Sequence, residues 1–235
     1  MLTQQVLIEN LATAHGISGI KHSIPCEATA YEKHEEKTNQ KDFQQIVGGL
    51  LYIARNTRPD ISIQVNLLGR RTADPSPTNL LAARQLCQYL LTTRQEGVQY
   101  STADKESGEQ TRIEVYTDAL YGGEGARSQT GVLVLMNRHP IVWYSRRQDT
   151  VSLSITEAEY IAACEGAKDA AWIQQLLKEL LGTTLIPILY TDNEAADKLS
   201  KNQAYHRRTR HIQHWWHYLR QQVTTGELVI KGTNS

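Results

Sequence analysis

Residues 113–118 read IEVYTD, and residues 188–192 close in the same way, ILYTD. Each is an apolar run that ends on an aspartate, the pattern of a strand with one face in a core and an acid at its carboxyl end. An acid beside such a run is costly to place unless a cation meets it. If the two strands are neighbours in one sheet, their ends bring Asp118 and Asp192 together. Glu157 lies in the first turn of a helix expected over SITEAEYIAACEGAKDAAWIQQLLKELLG, residues 154–182, and a helix packed over that sheet edge would add it to the pair. Oxygen donors of this kind suit Mg²⁺ or Mn²⁺. Carboxylates holding two such ions about 3.5–4 Å apart form the arrangement for phosphodiester hydrolysis, one ion activating water and the other stabilising the leaving oxygen. The bland reading is that a strand-end Asp caps a turn and that Glu in a first helical turn complements the dipole. The repeated YTD and the order of the elements favour the metal. Glu159 competes with Glu157, but two residues apart on a helix means different faces, so only one of them reaches the site.

Working outward, RIEVYTDAL (112–120), TGVLVLMN (130–137) and HPIVWYSR (139–146) read as three strands. One or two helices to Gly182 follow, then the strand PILYTDN (187–193), a short helix NEAADKLSKN, a long helix TRHIQHWWHYLRQQVTTGEL and a closing strand LVIKG (228–232). The order β-β-β-α-β-α-α is an α/β layout with an antiparallel meander first and a crossover strand after the helix. The glycines of YGGEG lie between two strands, which favours a hairpin turn over a phosphate loop. Residues 1–100 read as a small helical region. Apolar spacing marks Val6, Leu7 and Leu11, then Phe43 through Ile53; Pro59 breaks a helix, with Asp60 or Ser62 available as a cap, and LLAARQLCQYLL (80–91) is amphipathic. AYEKHEEKTNQKD (30–42) reads as an exposed connection. STADKESGEQ has no apolar residue larger than Ala and makes residues 101–111 a linker to a second domain, 112–235.

The chain has 25 basic and 25 acidic side chains, a formal net charge of zero, so any polyanion must be met by local clusters. Cys26, Cys87 and Cys164 form no metal-like spacing and read as buried hydrophobes of a reducing compartment. The start lacks a secretory pattern and no segment has the length of a membrane span, so an intracellular protein, cytoplasmic or nuclear, is expected, with no membrane partner.

Residues 116–162, with YTDNEAADKLSKN (190–202) and HRRTRHIQHWWHYLR (206–220), resemble the ribonuclease H domain at the end of copia-type LTR-retrotransposon polyproteins. LTQQVLIENLATAHGI (2–17), FQQIVGGLLYIARNTRPDIS (43–62) and LAARQLCQYLL (81–91) resemble the thumb and connection region of the reverse transcriptase in the same polyproteins. The resemblance implies a ribonuclease-H-like mixed sheet with flanking helices and assigns Asp118, Glu157 and Asp192 as three metal-binding acids, favouring Glu157 over Glu159. The family's last motif, Arg-Thr-Lys-His-Ile-Asp, ends on a fourth metal ligand; residues 208–213 read Arg-Thr-Arg-His-Ile-Gln, so Gln213 takes that place. An amide oxygen coordinates, but it is neutral and leaves a second ion's charge less well offset. The polymerase palm would precede these residues, so no polymerase activity is expected.

Arg146 and Arg147 follow a strand, and Lys198, Lys201, Arg207, Arg208 and Arg210 crowd the approach to the last helix. Such groups bind phosphates, as recognition of an A-form-like RNA:DNA hybrid requires, or they line a solvated surface. His211, His214 and His217 drift around a helix, which speaks against zinc; His206 or His211 is better suited to proton transfer or product release. Trp215 and Trp216 are adjacent and face different ways, one toward the core and one toward a neighbouring surface. Two functions remain open. One is a Mg²⁺-dependent endonuclease cutting the RNA strand of hybrids; the other is a catalytically inactive, transposon-derived module that binds nucleic acid or protein. For the helical region, packing against the second domain or a protein partner is expected, because so short a bundle has more apolar surface than it can bury alone.

Overall fold

A computed structural model describes residues 1–18, 25, 38–101, 111–123, 125–192 and 213–232. The chain divides into two compact units, residues 1–100 and 101–235. Of the connection read at 30–42, residues 30–37 lie outside the described residues and 40–42 belong to a helix; 102–110 of the linker read at 101–111, the short helix at 193–202 and Cys26 also lie outside them.

The first unit is helical: α1 (Gln5–Ala14), α2 (Gln40–Asn56), a 3₁₀ turn (Pro59–Ile61), α3 (Ser62–Gly69) and α4 (Pro77–Thr92). Its core is Ile8, Phe43, Ile46, Leu50, Ile53, Leu68, Leu86 and Leu90, all fully buried. Asn39 caps α2 by accepting from the Asp42 amide. Ser76 and Asn79 form a reciprocal capping box on α4, with Pro77 in its first turn. Neither Asp60 nor Ser62 caps a helix. Asp60 instead accepts from Arg58 Nε (2.9 Å) and Nη2 (2.7 Å) and from the Tyr89 hydroxyl (2.9 Å). Arg58 is 1% exposed. It also donates to the Thr93 carbonyl and hydroxyl and lies over the Tyr89 ring, tying the 3₁₀ turn to α4.

The second unit contains one five-stranded sheet: β1 (Ile113–Leu120), β2 (Gln129–Met136), β3 (His139–Arg147), β4 (Ile188–Thr191) and β5 (Val229–Gly232), in the order β3-β2-β1-β4-β5. β1, β2 and β3 form the antiparallel meander; β4 returns parallel to β1, and β5 parallel to β4. β2 turns into β3 through Asn137 and Arg138, both at positive φ (50° and 65°), the backbone of a tight hairpin. The expected helix is one helix, α5 (Ile155–Leu181), closed by Gly182 in the left-handed conformation. α6 (Gln213–Thr224) precedes β5. This is the expected α/β layout, a mixed sheet with flanking helices. Among the described residues no helix is long and apolar enough to cross a membrane.

α5 lies against β1 and β2 through small side chains, Ala163, Ala167 and Ala170, which meet Ile113, Val115 and Val134 in the core. A Cβ at Gly166 would come within 2.5 Å of Thr117 Cγ2, so the bare backbone sets how closely the helix approaches β1. Trp215 and Trp216 both pack against this core, under Lys168 and Arg220 respectively. Cys87 and Cys164 are fully buried, and burial pushes their thiols up to about 11 and about 12.

The asymmetry of the Arg58–Asp60 pair gives a stability test. Their side chains are 2% and 37% exposed. Removing Asp60 strands a buried guanidinium, whereas removing Arg58 leaves a carboxylate that water reaches. Asp60→Ala is expected to cost about 3 kcal/mol, and Arg58→Met clearly less, by urea unfolding of the full chain.

Candidate metal centre

The register of the central strands decides the site. β1 and β4 run parallel with Tyr116 opposite Tyr190, and the two rings stack at 4.9 Å and 13°. Asp118, two residues before the end of β1, and Asp192, just after β4, each lie two residues further on, toward the carboxyl ends of neighbouring strands, as the repeated YTD requires. The third acid of the group is Glu159, from α5. Carboxylate oxygens of Asp118, Glu159 and Asp192 all lie within 4.8 Å of one another, a grouping found among the described residues. The two aspartates are exposed and the glutamate is buried.

The expectation for Glu157 is therefore corrected. Residues 157 and 159 are about 200° apart around a helix. Glu157 points to the helix start instead: its amide donates to Ser154 Oγ (3.1 Å) and its Oε2 accepts from the Leu153 amide (2.6 Å). Ser154 thus satisfies one amide that the helix N-terminus leaves open, while the Glu157 carboxylate holds the amide of Leu153, just before the cap. The sequence carries this signal, because S-x-x-E is a capping pattern. Read that way, it places Glu157 at a capping position, without saying which helix face meets the sheet.

Glu159 is held by the backbone. Its Oε1 accepts from the amide of Ala119, the residue after Asp118, at 3.1 Å. Its Oε2 is buried without a hydrogen-bond partner. Burial, with the negative charges of Asp118 and Asp192 beside it, raises its carboxyl to about 7, against a smaller opposing effect of the Ala119 amide. A buried carboxylate oxygen without a donor, on a residue grouped with two further carboxylates, fits a divalent cation bound by oxygen ligands.

The other expected site residues are placed as follows. Arg146 pairs with Glu165 and covers the Tyr144 ring, whose hydroxyl donates to Asp169. Glu165 also meets Lys168 at 3.0 Å. Arg146 is thus neutralised within a network between β3 and α5. Arg147 ends β3 and is exposed. Lys198, Lys201, His206, Arg207, Arg208, Arg210 and His211 lie outside the described residues, as do the side chains of Gln213 and His214 at the start of α6.

No model of a known protein family matches the chain. The retrovirus-related Pol polyprotein of transposon RE1 from Arabidopsis thaliana is 35% identical over 196 residues, 82% of this chain and 13% of that protein. The Pol polyprotein of transposon TNT 1-94 from Nicotiana tabacum is 34% identical over 200 residues, 83% of this chain and 15% of that one. Secreted RxLR effector protein 161 of Plasmopara viticola is 34% identical over 133 residues, 56% of this chain and 90% of the relative. The chain thus spans about one seventh of the length of the transposon polyproteins it matches. Among solved structures, ribonuclease H1 of Halobacterium salinarum matches 52% of this chain and 85% of its own at 13% identity, with a TM-score of 0.40. The foamy viral protease-reverse transcriptase in complex with RNA/DNA hybrid matches 67% of this chain and 24% of its own at 12% identity, with a TM-score of 0.37.

The raised carboxyl of Glu159 has a stability consequence. Its folded value, about 7, lies above the ordinary 4.5, so the fold binds the proton more tightly than the unfolded chain does. Stability from this group is complete below pH 4.5 and is lost as pH rises to about 7. In chelator at pH 8, Glu159→Gln is expected to stabilise the protein by up to about 3 kcal/mol and at pH 4 to change little. Thermal unfolding at the two pH values measures this.

Proposed function

The chain belongs to the retrovirus-related Pol polyproteins of copia-type transposons, in the part that carries their ribonuclease H domain, and on that premise we propose that it hydrolyses the RNA strand of RNA:DNA hybrids. The observation that carries the reading is the meeting of Asp118, Glu159 and Asp192 within 4.8 Å at one end of the sheet. These three residues would hold Mg²⁺ or Mn²⁺. A divalent cation bound there supplies an activated water and offsets charge on the leaving oxygen.

The chain's own groups do the remaining work. Asp118 and Asp192 are open to solvent, so a phosphodiester reaches them without a change in the core. Glu159 is fixed by the Ala119 amide through Oε1, and its Oε2 is buried without a hydrogen-bond partner. Because its carboxyl is raised to about 7, it holds a proton for part of the time at neutral pH, a proton that a divalent cation held there would displace. Cation affinity therefore rises with pH through that range. Gln213 stands in our reading at the fourth ligand position, with a neutral oxygen that weakens the second ion. Arg147, Lys201, Arg207, Arg208 and Arg210 supply phosphate contacts, and His206 assists proton transfer or product release. Residues 1–100 serve as a thumb-and-connection-like region that meets a nucleic acid or protein partner.

The second reading, a binding module without hydrolysis, is favoured by Gln213 alone. Cleavage of a labelled RNA:DNA hybrid in Mg²⁺ or Mn²⁺ separates the two. Asp192→Asn and Glu159→Gln are expected to lower the rate by about 10²- to 10³-fold, the size of losing one electrostatic anchor of the transition state. Glu157→Gln should retain most activity with lower stability. Equal traces of cleavage in wild type and Asp192→Asn would leave only the binding module. Separately, Gln213→Asp is expected to tighten Mn²⁺ binding about tenfold by calorimetry; an unchanged affinity would remove Gln213 from the fourth position.

A further inference from the structure

Beside the carboxylates lies a group of buried polar side chains that the proposed hydrolysis does not use: Ser128, Thr130, Gln148 and Ser152 are each 4% exposed or less. Gln148, the residue after β3, joins them. Its backbone amide donates to the Ser128 carbonyl at 2.8 Å. Its side-chain Nε2 donates to Thr130 Oγ1 at 3.0 Å and to the Ala158 carbonyl at 2.9 Å, and its Oε1 accepts from Ser152 Oγ at 2.6 Å. Both N–H groups of the amide and its oxygen are thereby matched. A buried amide so satisfied has one favourable arrangement, and losing a partner is costly.

Two of these partners lead to Glu159. The Ala158 carbonyl belongs to the peptide unit that joins Ala158 to Glu159. Thr130 stands opposite Ala119 in the β1–β2 register, and the Ala119 amide is the group that holds Glu159 Oε1. The contacts thus close a ring from Gln148 through Ala158, Glu159, Ala119 and Thr130 back to Gln148. We propose that Gln148 is a positioning residue for Glu159: it fixes the first turn of α5 against β2 so that the buried carboxylate keeps its place beside Asp118 and Asp192. The proposal rests on reading those three acids as a metal site.

The role separates from helix formation. α5 has its own cap in Ser154, whose hydroxyl accepts from the Glu157 amide, so its first turn forms without Gln148. What Gln148 adds is where that turn sits relative to the sheet, and a carboxylate site is sensitive to such a displacement.

The test uses the full chain. Gln148→Met keeps the length and removes every side-chain hydrogen bond, Gln148→Glu keeps the acceptor for Ser152 and loses both donors, and Ser152→Ala removes only the contact to Oε1. Mn²⁺ affinity is followed by water proton relaxation, and the Ala119 amide by ¹H–¹⁵N correlation in chelator. Both Gln148 variants are expected to weaken Mn²⁺ about tenfold and to move the Ala119 resonance, with helical circular dichroism unchanged. Ser152→Ala should do neither beyond about twofold. Wild-type Mn²⁺ affinity together with an unmoved Ala119 amide in Gln148→Met, whatever its loss of stability, would reduce Gln148 to a structural residue. Asp192→Asn is the control for the site itself. If it binds Mn²⁺ as wild type does, the metal reading fails, and the Ala119 amide, which senses Glu159 without metal, then decides for or against Gln148 on its own. Should Gln148→Met not fold, Thr130→Val, nearly isosteric and lacking the hydroxyl acceptor, carries the same expectation in the same direction.

Discussion

Placing three carboxylates within 4.8 Å of one another is electrostatically uphill, and much of the second unit is arranged around that fact. Two of the acids are tolerated because they sit in water at strand ends. The third is buried, and its charged form is disfavoured by burial and by its two neighbours. Only a rigid surround keeps such a group in place: the Ala119 amide in front of it, the parallel β1–β4 pair beside it and a close-packed helix carrying it. The bare backbone at Gly166 and the alanines of α5 are part of the same arrangement, since a helix held further off would not bring Glu159 to the strand ends.

The first turn of α5 divides its work between two glutamates of similar chemistry. Glu157 gives its amide to the Ser154 cap and turns its carboxylate back to the Leu153 amide, so it stays at the helix start. Glu159, on another face, is carried to the strand ends. Local stability and the candidate chemistry thus come from one hexapeptide, residues 154–159, with the helical pitch as the only thing separating them. The Gln148 ring of contacts joins this turn to β2, so the cap and the cluster are referred to the same strand.

The first unit follows a different logic. It has its own apolar core, and its most buried charge, Arg58, is met by a carboxylate, a phenol ring, a hydroxyl and a backbone carbonyl. The motif TRPDIS, which reads as a helix break with a cap, is in the structure a break with a buried ion pair. The cap reading fails because Asp60 is drawn away from the helix start by the guanidinium two residues earlier. A long-range partner, Tyr89 of α4, completes the arrangement.

The strand character of residues 113–120 and 188–191 and the glycine stop of α5 were readable in the chain, because each is set by neighbours within a few residues, whereas one helix or two before Gly182 was left open. The repeated YTD also made the meeting of Asp118 and Asp192 readable, on the one condition that the strands be adjacent and parallel, and that condition is tertiary. What the chain could not decide by itself was which glutamate joins them. Helical geometry says that Glu157 and Glu159 diverge; it does not say which face meets the sheet. The packing of Ala163, Ala167 and Ala170 on β1 and β2 fixes the rotation of α5, and with it the choice of Glu159. Arg146 teaches the same lesson in charge: beside Arg147 it reads as a phosphate contact, and only the fold brings it Glu165 of α5, whereas Tyr144 is its neighbour two residues back on β3.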